Sequence, residues 1–289
     1  MIEIPGALVT EQVKINGAAG RAFVARLPDL VAVFLERWEL RIDGPPMHGV
    51  CALVLPVTGA DGTRAVLKLQ LLDEETAGEP VALRTWNGDH AVRLLRHDGP
   101  TGTLLLERLD PHRTLTHVED VHAAVPVVGV LLSRLTSVRA PRGLRKLGDL
   151  ARGMLERTPE ALVRTPDRRD RRLLADCAAA VREVAAEPGD RLLHYANVLG
   201  ADRAPWLAID PKPLAGDPGF ELWPALTNRF DAEDVLRRFD ALSEALGLDR
   251  GRARAWTLGR LLQNSLWRIE AGKRPTAADV EIGHWLLGR

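Results

Sequence analysis

Two short apolar runs, Asn197-Val198-Leu199 and Trp206-Leu207-Ala208-Ile209, flank Gly200-Ala201-Asp202-Arg203-Ala204-Pro205, which is rich in turn-forming residues. Folded as a hairpin, they bring Asn197 and Asp210 to one end, where a carboxamide and a carboxylate converge. Hard cations such as Mg²⁺ take one or two such oxygens and complete their shell with nucleotide phosphates. Pro211 and Pro213 stop the second strand by removing backbone donors, and Gly216-Asp217-Pro218-Gly219 turns the chain back. Either residue alone would suit a turn. The pair, joined by an apolar strand, reads as a ligand set.

A second cue is the choice of cation. The chain is Arg-rich, and its only lysines are Lys14, Lys68, Lys146, Lys212 and Lys273. Lys68 sits inside the strand-like run Ala65-Val66-Leu67-Lys68-Leu69, where a lone lysine is ordinarily solvated. Arg would serve equally well on a surface, whereas a compact ammonium suits point-charge contact with phosphate. Its natural partner is a carboxylate on the following helix. Glu79 is placed for that, with Glu74 and Glu75 as competitors.

These residues need elements to position them. Residues 29–41 read as a helix capped by Asp29, with Leu30, Val33, Phe34 and Trp38 on one face. Residues 50–57 and 63–70 read as a hairpin about Thr58-Gly59-Ala60-Asp61-Gly62. Residues 80–98 are helix-like at each end, 104–106 form a short strand, and Asp110-Pro111 breaks it. Beyond Pro111 the character changes, and 117–137, 143–163, 168–187, 231–247 and 251–271 read mainly as helices. The division is a β-containing unit over 1–110 and a helical one over 111–289. The Arg-rich stretch from Arg164 to Arg172 alternates with Asp167 and Asp170 and reads as a solvated loop or helix start.

The bulk numbers exclude several classes. The formal net charge is zero, with no basic stripe, which argues against nucleic acid. No apolar run approaches the ~20 residues of a membrane span, and the first residues do not read as a signal peptide. Cys51 and Cys177 lie far apart, as expected of a reduced, cytoplasmic setting. His112, His117 and His122 recur every five residues, which shares no helix face and makes a poor metal site.

The motifs together resemble the kinase-like antibiotic kinases that phosphorylate aminoglycosides of the streptomycin type and hydroxyurea. VLKL with Lys68 is similar to the strand-three lysine segment, and GEPVALRTW with Glu79 to the helix-C glutamate segment. LLLERLD (104–110) is similar to the linker that contacts adenine. NVL followed by WLAIDPKPLAGDPGFEL resembles the metal-binding loops. The resemblance implies an α+β, protein-kinase-like two-lobed fold: a small N-terminal β-sheet lobe and a larger, mainly helical C-terminal lobe. It implies ATP and Mg²⁺ as cofactors, a small-molecule acceptor, and a monomer or weak dimer. Lys68 would hold phosphates and pair with Glu79. Glu107 to Leu109 would hold adenine, Asn197 and Asp210 would hold Mg²⁺, and the loop from Gly44 to Gly49 would cover the phosphates.

One motif departs from the pattern. The family has an Asp five residues before the metal-binding Asn, in a stretch resembling H-W-D-L-H-Y-A-N, where it accepts the substrate hydroxyl proton. Five before Asn197 stands Leu192, and the simplest alignment removes four residues including that Asp. Asp190, after Pro188-Gly189, is the nearest carboxylate upstream and a weak substitute. The expectation is a phosphotransferase with impaired transfer, or alternatively an inactive kinase-like protein that binds Mg·ATP and antibiotic. For the acceptor pocket the candidates are Glu221, Trp223, Asp231 and Asn264. The face shared by Trp256, Arg260, Asn264 and Trp267 adds a buried amide and an Arg that would oppose a polycation. Whether the acceptor is an aminoglycoside or hydroxyurea is left open by the residues.

Overall fold

A computed structural model of the chain describes residues 2–115, 118, 120–194 and 197–288. The first element, α1 (Gly6–Arg37), is longer than the helix expected from Asp29. Asp29 is therefore no cap, and the helix runs through Pro28. Its buried face carries Leu27, Val31 and Phe34, continued by Trp38, while Val33 is 43% exposed. Phe34 and Trp38 thus lie on the expected face and Leu30 packs partly buried beside them, while Val33 turns outward.

The strands β1 (Leu40–Ile42), β2 (Met47–His48), β3 (Ala52–Gly59) and β4 (Arg64–Gln70) come next. The hairpin read around Gly59 forms as β3–β4, with Gly62 at φ 83° supplying the left-handed turn residue. After α2 (Glu79–Trp86), Asn87 at φ 48° and Gly88 at φ 82° end the helix. The chain then enters β5 (Leu94–Asp98), so the second helix-like stretch is an edge strand instead. It pairs with β6 (Thr103–Glu107), completing an antiparallel sheet in the order β1-β3-β4-β6-β5, with β2 on β3. Leu53, Leu55, Val57, Leu67 and Leu69 pack from this sheet onto α1 in one core cluster.

Asp110-Pro111 does not end strand structure. It opens β7 (Asp110–Thr114), which pairs with a later hairpin. Pro111 is tolerated because β7 lies on the edge of its three-stranded sheet. Then come α3 (Val121–Leu135), β8 (Arg145–Lys146), α4 (Leu147–Arg164) and α5 (Arg168–Val184), the last capped by Asp167 through the Arg169 and Asp170 amides. The informative interruption becomes β9 (Arg191–Leu193), β10 (Asn197–Gly200), β11 (Trp206–Ile209) and β12 (Leu214–Gly216). The chain closes with α6 (Trp223–Thr227), α7 (Val235–Ala245), α8 (Arg250–Glu270) and α9 (Ala277–Leu287). Leu173, Leu174, Cys177 and Val181 of α5 share a core with Trp256, Leu258, Leu261 and Leu262 of α8. A small sheet lobe therefore sits beside a mostly helical one, as in protein-kinase-like folds.

Candidate active site between the sheet and the helices

Lys68 points inward from β4 and is 5% exposed. Its Nζ donates to both oxygens of Glu79, each at 2.8 Å. It also donates to Asp210 Oδ1 at 2.5 Å, which joins β4 to the end of β11. Burial alone would lower the Lys68 pKa, but the Glu79 and Asp210 carboxylates outweigh it and the net shift is upward. The ammonium stays charged because two carboxylates neutralise it.

Glu79 is fully buried at the first position of α2. Of the three candidate carboxylates it is the partner of Lys68, while Glu75 binds Arg145 at 3.2 Å. Gln70 donates to Glu79 Oε2 at 2.7 Å and fixes the carboxylate from a second side. Nothing local in the sequence singles out Gln70, although it stands two residues after Lys68 and so on the same strand face. Gly78 lets the helix start approach the loop after β11, because a Cβ there would sit 2.8 Å from Pro213 Cγ.

Asp210 adopts φ 52°, a left-handed conformation that Asp tolerates. Asn197 lies opposite Ile209 in the β10–β11 register, so it and Asp210 share one hairpin end as expected. Lys212, also unforeseen, donates to Asp210 Oδ1 at 2.8 Å. Burial would raise the Asp210 pKa, yet Lys68 and then Lys212 hold it down at about 2. Both ammoniums engage Oδ1, and among the described residues Oδ2 has no hydrogen-bond partner. One ionised carboxylate oxygen beside a carboxamide is a hard-oxygen donor pair that fits Mg²⁺ shared with phosphates. Among the described residues no cluster of three or more His, Cys, Asp or Glu could hold a metal. His117 of the three spaced histidines lies outside those residues.

The linker residues serve two ends. Glu107 accepts from Arg203 through both oxygens, at 2.7 and 2.9 Å, so its side chain is engaged in structure. Arg203 also donates to the Gly88 and Ala91 carbonyls, each at 2.7 Å. The turn of the β10–β11 hairpin is thereby fastened to the sheet lobe. Ala208 adds backbone bonds to His90 and Val92, both 2.9 Å. Leu109 packs partly buried against the cluster holding Leu104, Leu106 and Ala208. The tight turn between β2 and β3 is Gly49–Ala52, closed by Gly49 N–H to the Ala52 carbonyl at 3.0 Å, at the far end of the Gly44–Gly49 loop expected to cover the phosphates.

The segment before Asn197 is short. Leu192, five before Asn197, is a fully buried strand residue opposite Ala215. Asp190 lies at the other end of β9, 55% exposed and ion-paired with Arg139 at 2.7 Å. His194 comes directly after β9 and is buried. Its Nε2 lies 3.0 Å from the Ile209 carbonyl, and its own carbonyl accepts from Lys212 N–H at 3.0 Å. The His194 N–H donates to Glu221 at 3.2 Å. Burial pushes Glu221 up to about 8 and His194 down to about 4, so both are largely neutral near pH 7. Tyr195 and Ala196 lie outside the described residues.

The four acceptor candidates do not converge on one cavity. Glu221 lines a space of ≈ 360 Å³ with His194, Asn197 and α3 residues such as Leu131. Trp223 and Asn264 line another of ≈ 540 Å³ with Trp267, Arg268 and Lys273. Asp231 caps the short turn Ala232–Asp234, accepting from Glu233 N–H at 3.0 Å. On α8, Trp256 is core, packed edge-on against Phe220 at 6.4 Å, and the Arg260 guanidinium lies over the same Phe220 ring.

The chain is similar to known proteins over nearly its whole length. A hydroxyurea phosphotransferase of Kitasatospora aureofaciens is 62% identical, covering 100% of this chain and 87% of the relative. A streptomycin 6-kinase of Streptomyces glaucescens is 57% identical over 94% of this chain and 92% of its own. Among solved structures, a choline/ethanolamine kinase family protein from Mesorhizobium loti is similar at a TM-score of 0.62 and 18% identity, over 93% of this chain and 91% of that one. An aminoglycoside phosphotransferase variant solved with ADP and hygromycin B gives a TM-score of 0.56 at 14% identity, over 91% and 96% of the two chains. The family model described as aminoglycoside/hydroxyurea antibiotic resistance kinase matches residues 37–272, and the chain belongs to that family.

Proposed function

We propose that the chain binds Mg·ATP between its lobes and transfers a phosphoryl group slowly to a hydroxyl of a small-molecule antibiotic, a streptomycin-like aminoglycoside or hydroxyurea. The carrying observation is the buried contact of Lys68 with Glu79 and Asp210, which spans the two lobes. Lys68 would hold nucleotide phosphates and Glu79, braced by Gln70, would fix its direction. Asp210 and Asn197 would hold Mg²⁺, which neutralises charge on the transferred group. Backbone groups of Glu107 to Leu109 would receive adenine, since the Glu107 carboxylate is engaged by Arg203. The relatives' names support both acceptor classes. Both cysteines are free thiols, in keeping with a reducing, cytoplasmic compartment.

The slow step is a consequence of the missing base. Leu192 is locked in a strand, and Asp190 is tied to Arg139 at the far end of β9. Loss of a general base costs ~10²–10⁴ in rate, and the shortened loop also disturbs positioning. The same observations favour a second reading, a Mg·ATP and antibiotic binder without transfer. Phosphate transfer to streptomycin and hydroxyurea is measured for the chain as it is and for one with four residues, including the Asp, restored before Tyr195. Activity much higher in the restored chain supports the reading. Equal, full activity in both overturns the role given to the missing base, and transfer by the restored chain alone selects the binder.

A further inference from the structure

α1 lies almost wholly ahead of the residues matched by the family model, and it is not one straight helix. Gly17 at φ 55°, ψ −123° breaks it into two limbs. The limbs fold so closely together that a Cβ on Gly20 would stand 2.1 Å from the Gln12 carbonyl oxygen. The first limb is anchored by Leu8, fully buried in the core that holds Leu27, Val31 and Phe34. Gln12 is also fully buried, an unusual place for an amide. Its Nε2 donates to the Cys51 carbonyl at 2.7 Å, and its Oε1 accepts from Asn16 Nδ2 at 2.8 Å. Cys51 belongs to the Gly49–Ala52 turn. Ala52, which closes the turn, pairs with Gln70, two residues beyond Lys68 on β4, so the turn stands at the Lys68 and Glu79 end of the sheet. Asn16 Nδ2 also reaches Cys51 Sγ at 3.9 Å, and the His48 ring lies 2.9 Å from the Gly49 carbonyl. Val50 is 66% exposed, and nothing lies within 4 Å of a Cβ built on Gly49.

We propose that the first limb of α1 is a strap that positions the turn over the nucleotide phosphates, with Gln12 as the positioning residue and Asn16 as its orienter. This role rests on the proposed nucleotide site. Gln12 touches no substrate, and it sets where the Cys51 peptide stands. The inward bend at Gly17 keeps the amide on the turn, and only glycine takes that backbone geometry without strain.

The test uses the full chain and Gln12→Ala, with Asn16→Ala as the milder variant that leaves the Gln12 side chain in place. Amide hydrogen exchange is followed over residues 49–52, and affinities for Mg·ATP and for adenosine are measured by calorimetry. One lost hydrogen bond corresponds to about threefold to tenfold in affinity. The expected result for Gln12→Ala is faster exchange in the turn and Mg·ATP affinity weakened by that factor, with adenosine affinity unchanged. Asn16→Ala should act in the same direction and less. Parallel weakening of ATP and adenosine, or unchanged exchange in the turn, overturns the strap. A wild-type chain that fails to bind Mg·ATP at all refutes the nucleotide reading, and the strap's role with it. Exchange then reports separately whether Gln12 holds the turn.

Discussion

Glu221→Gln isolates a buried proton. The Glu221 carboxyl accepts from the His194 N–H, and burial pushes its pKa from 4.5 to about 8. His194 next to it is pushed the other way, from 6.5 to about 4. In the window from 4.5 to 8 the folded chain keeps a proton on Glu221 that the unfolded chain releases, so stability falls as pH rises, by about 1.4 kcal/mol per unit. Between 4 and 6.5 the unfolded chain binds a proton on His194 that the folded chain refuses, so that contribution rises with pH. The two slopes oppose each other from about 4.5 to 6.5, and above that Glu221 acts alone. Integrated from pH 6.5 to 8, Glu221 accounts for about 1.5–2 kcal/mol of lost stability. Gln keeps an acceptor for the His194 amide and has no proton to lose. Urea unfolding at pH 6.5, 7 and 8 measures the difference. The wild-type chain should lose stability relative to Glu221→Gln across that range. A constant difference between the two chains would refute the buried, protonated Glu221.

The other expectations concern the frame of the site. Arg203→Ala removes a two-pronged ion pair and two carbonyl contacts, and should cost about 1–3 kcal/mol in chemical denaturation while weakening the Mg²⁺ enhancement of nucleotide affinity more than metal-free binding; an unchanged enhancement would make Arg203 only a fastener. Gly20→Ala places a methyl against the Gln12 backbone, and should lower stability by about 1–3 kcal/mol in a thermal or urea melt. Glu79→Gln strips one carboxylate from the buried Lys68, with a loss of about 3 kcal/mol and a fall in Mg·ATP affinity read by calorimetry.

The residues of the candidate site are largely legible in the sequence because their cues are local. A lysine in an Arg-rich chain and a hairpin ending in Asn197 and Asp210 are visible without tertiary information. Gln70 and Lys212 needed the fold, since their meaning comes from sharing Glu79 and Asp210 with Lys68. Elements failed where tertiary pairing overrode local preference. Leu94–Asp98 joins the sheet because β6 offers an edge, and Pro111 starts a strand because β10 lies beside it. The first limb of α1 is not legible in the sequence because its buried face carries only Leu8 and the polar Gln12, too few apolar residues to set a period. The acceptor candidates are the residues whose placement depends most on the fold. Glu221, Trp223, Asp231 and Asn264 are close in sequence or type, yet the chain distributes them over two cavities and a cap.

The proposed function stands on the interlobe contact of Lys68, Glu79 and Asp210 being a nucleotide and metal site. Calorimetric titration of ATP with Mg²⁺ and with EDTA, into the wild-type chain and into Asp210→Asn, tests that most directly. The expected result is ATP binding strengthened by Mg²⁺ in the wild type, with the Mg²⁺ effect lost in Asp210→Asn. No binding to the wild type, or the same Mg²⁺ effect in both chains, would contradict it.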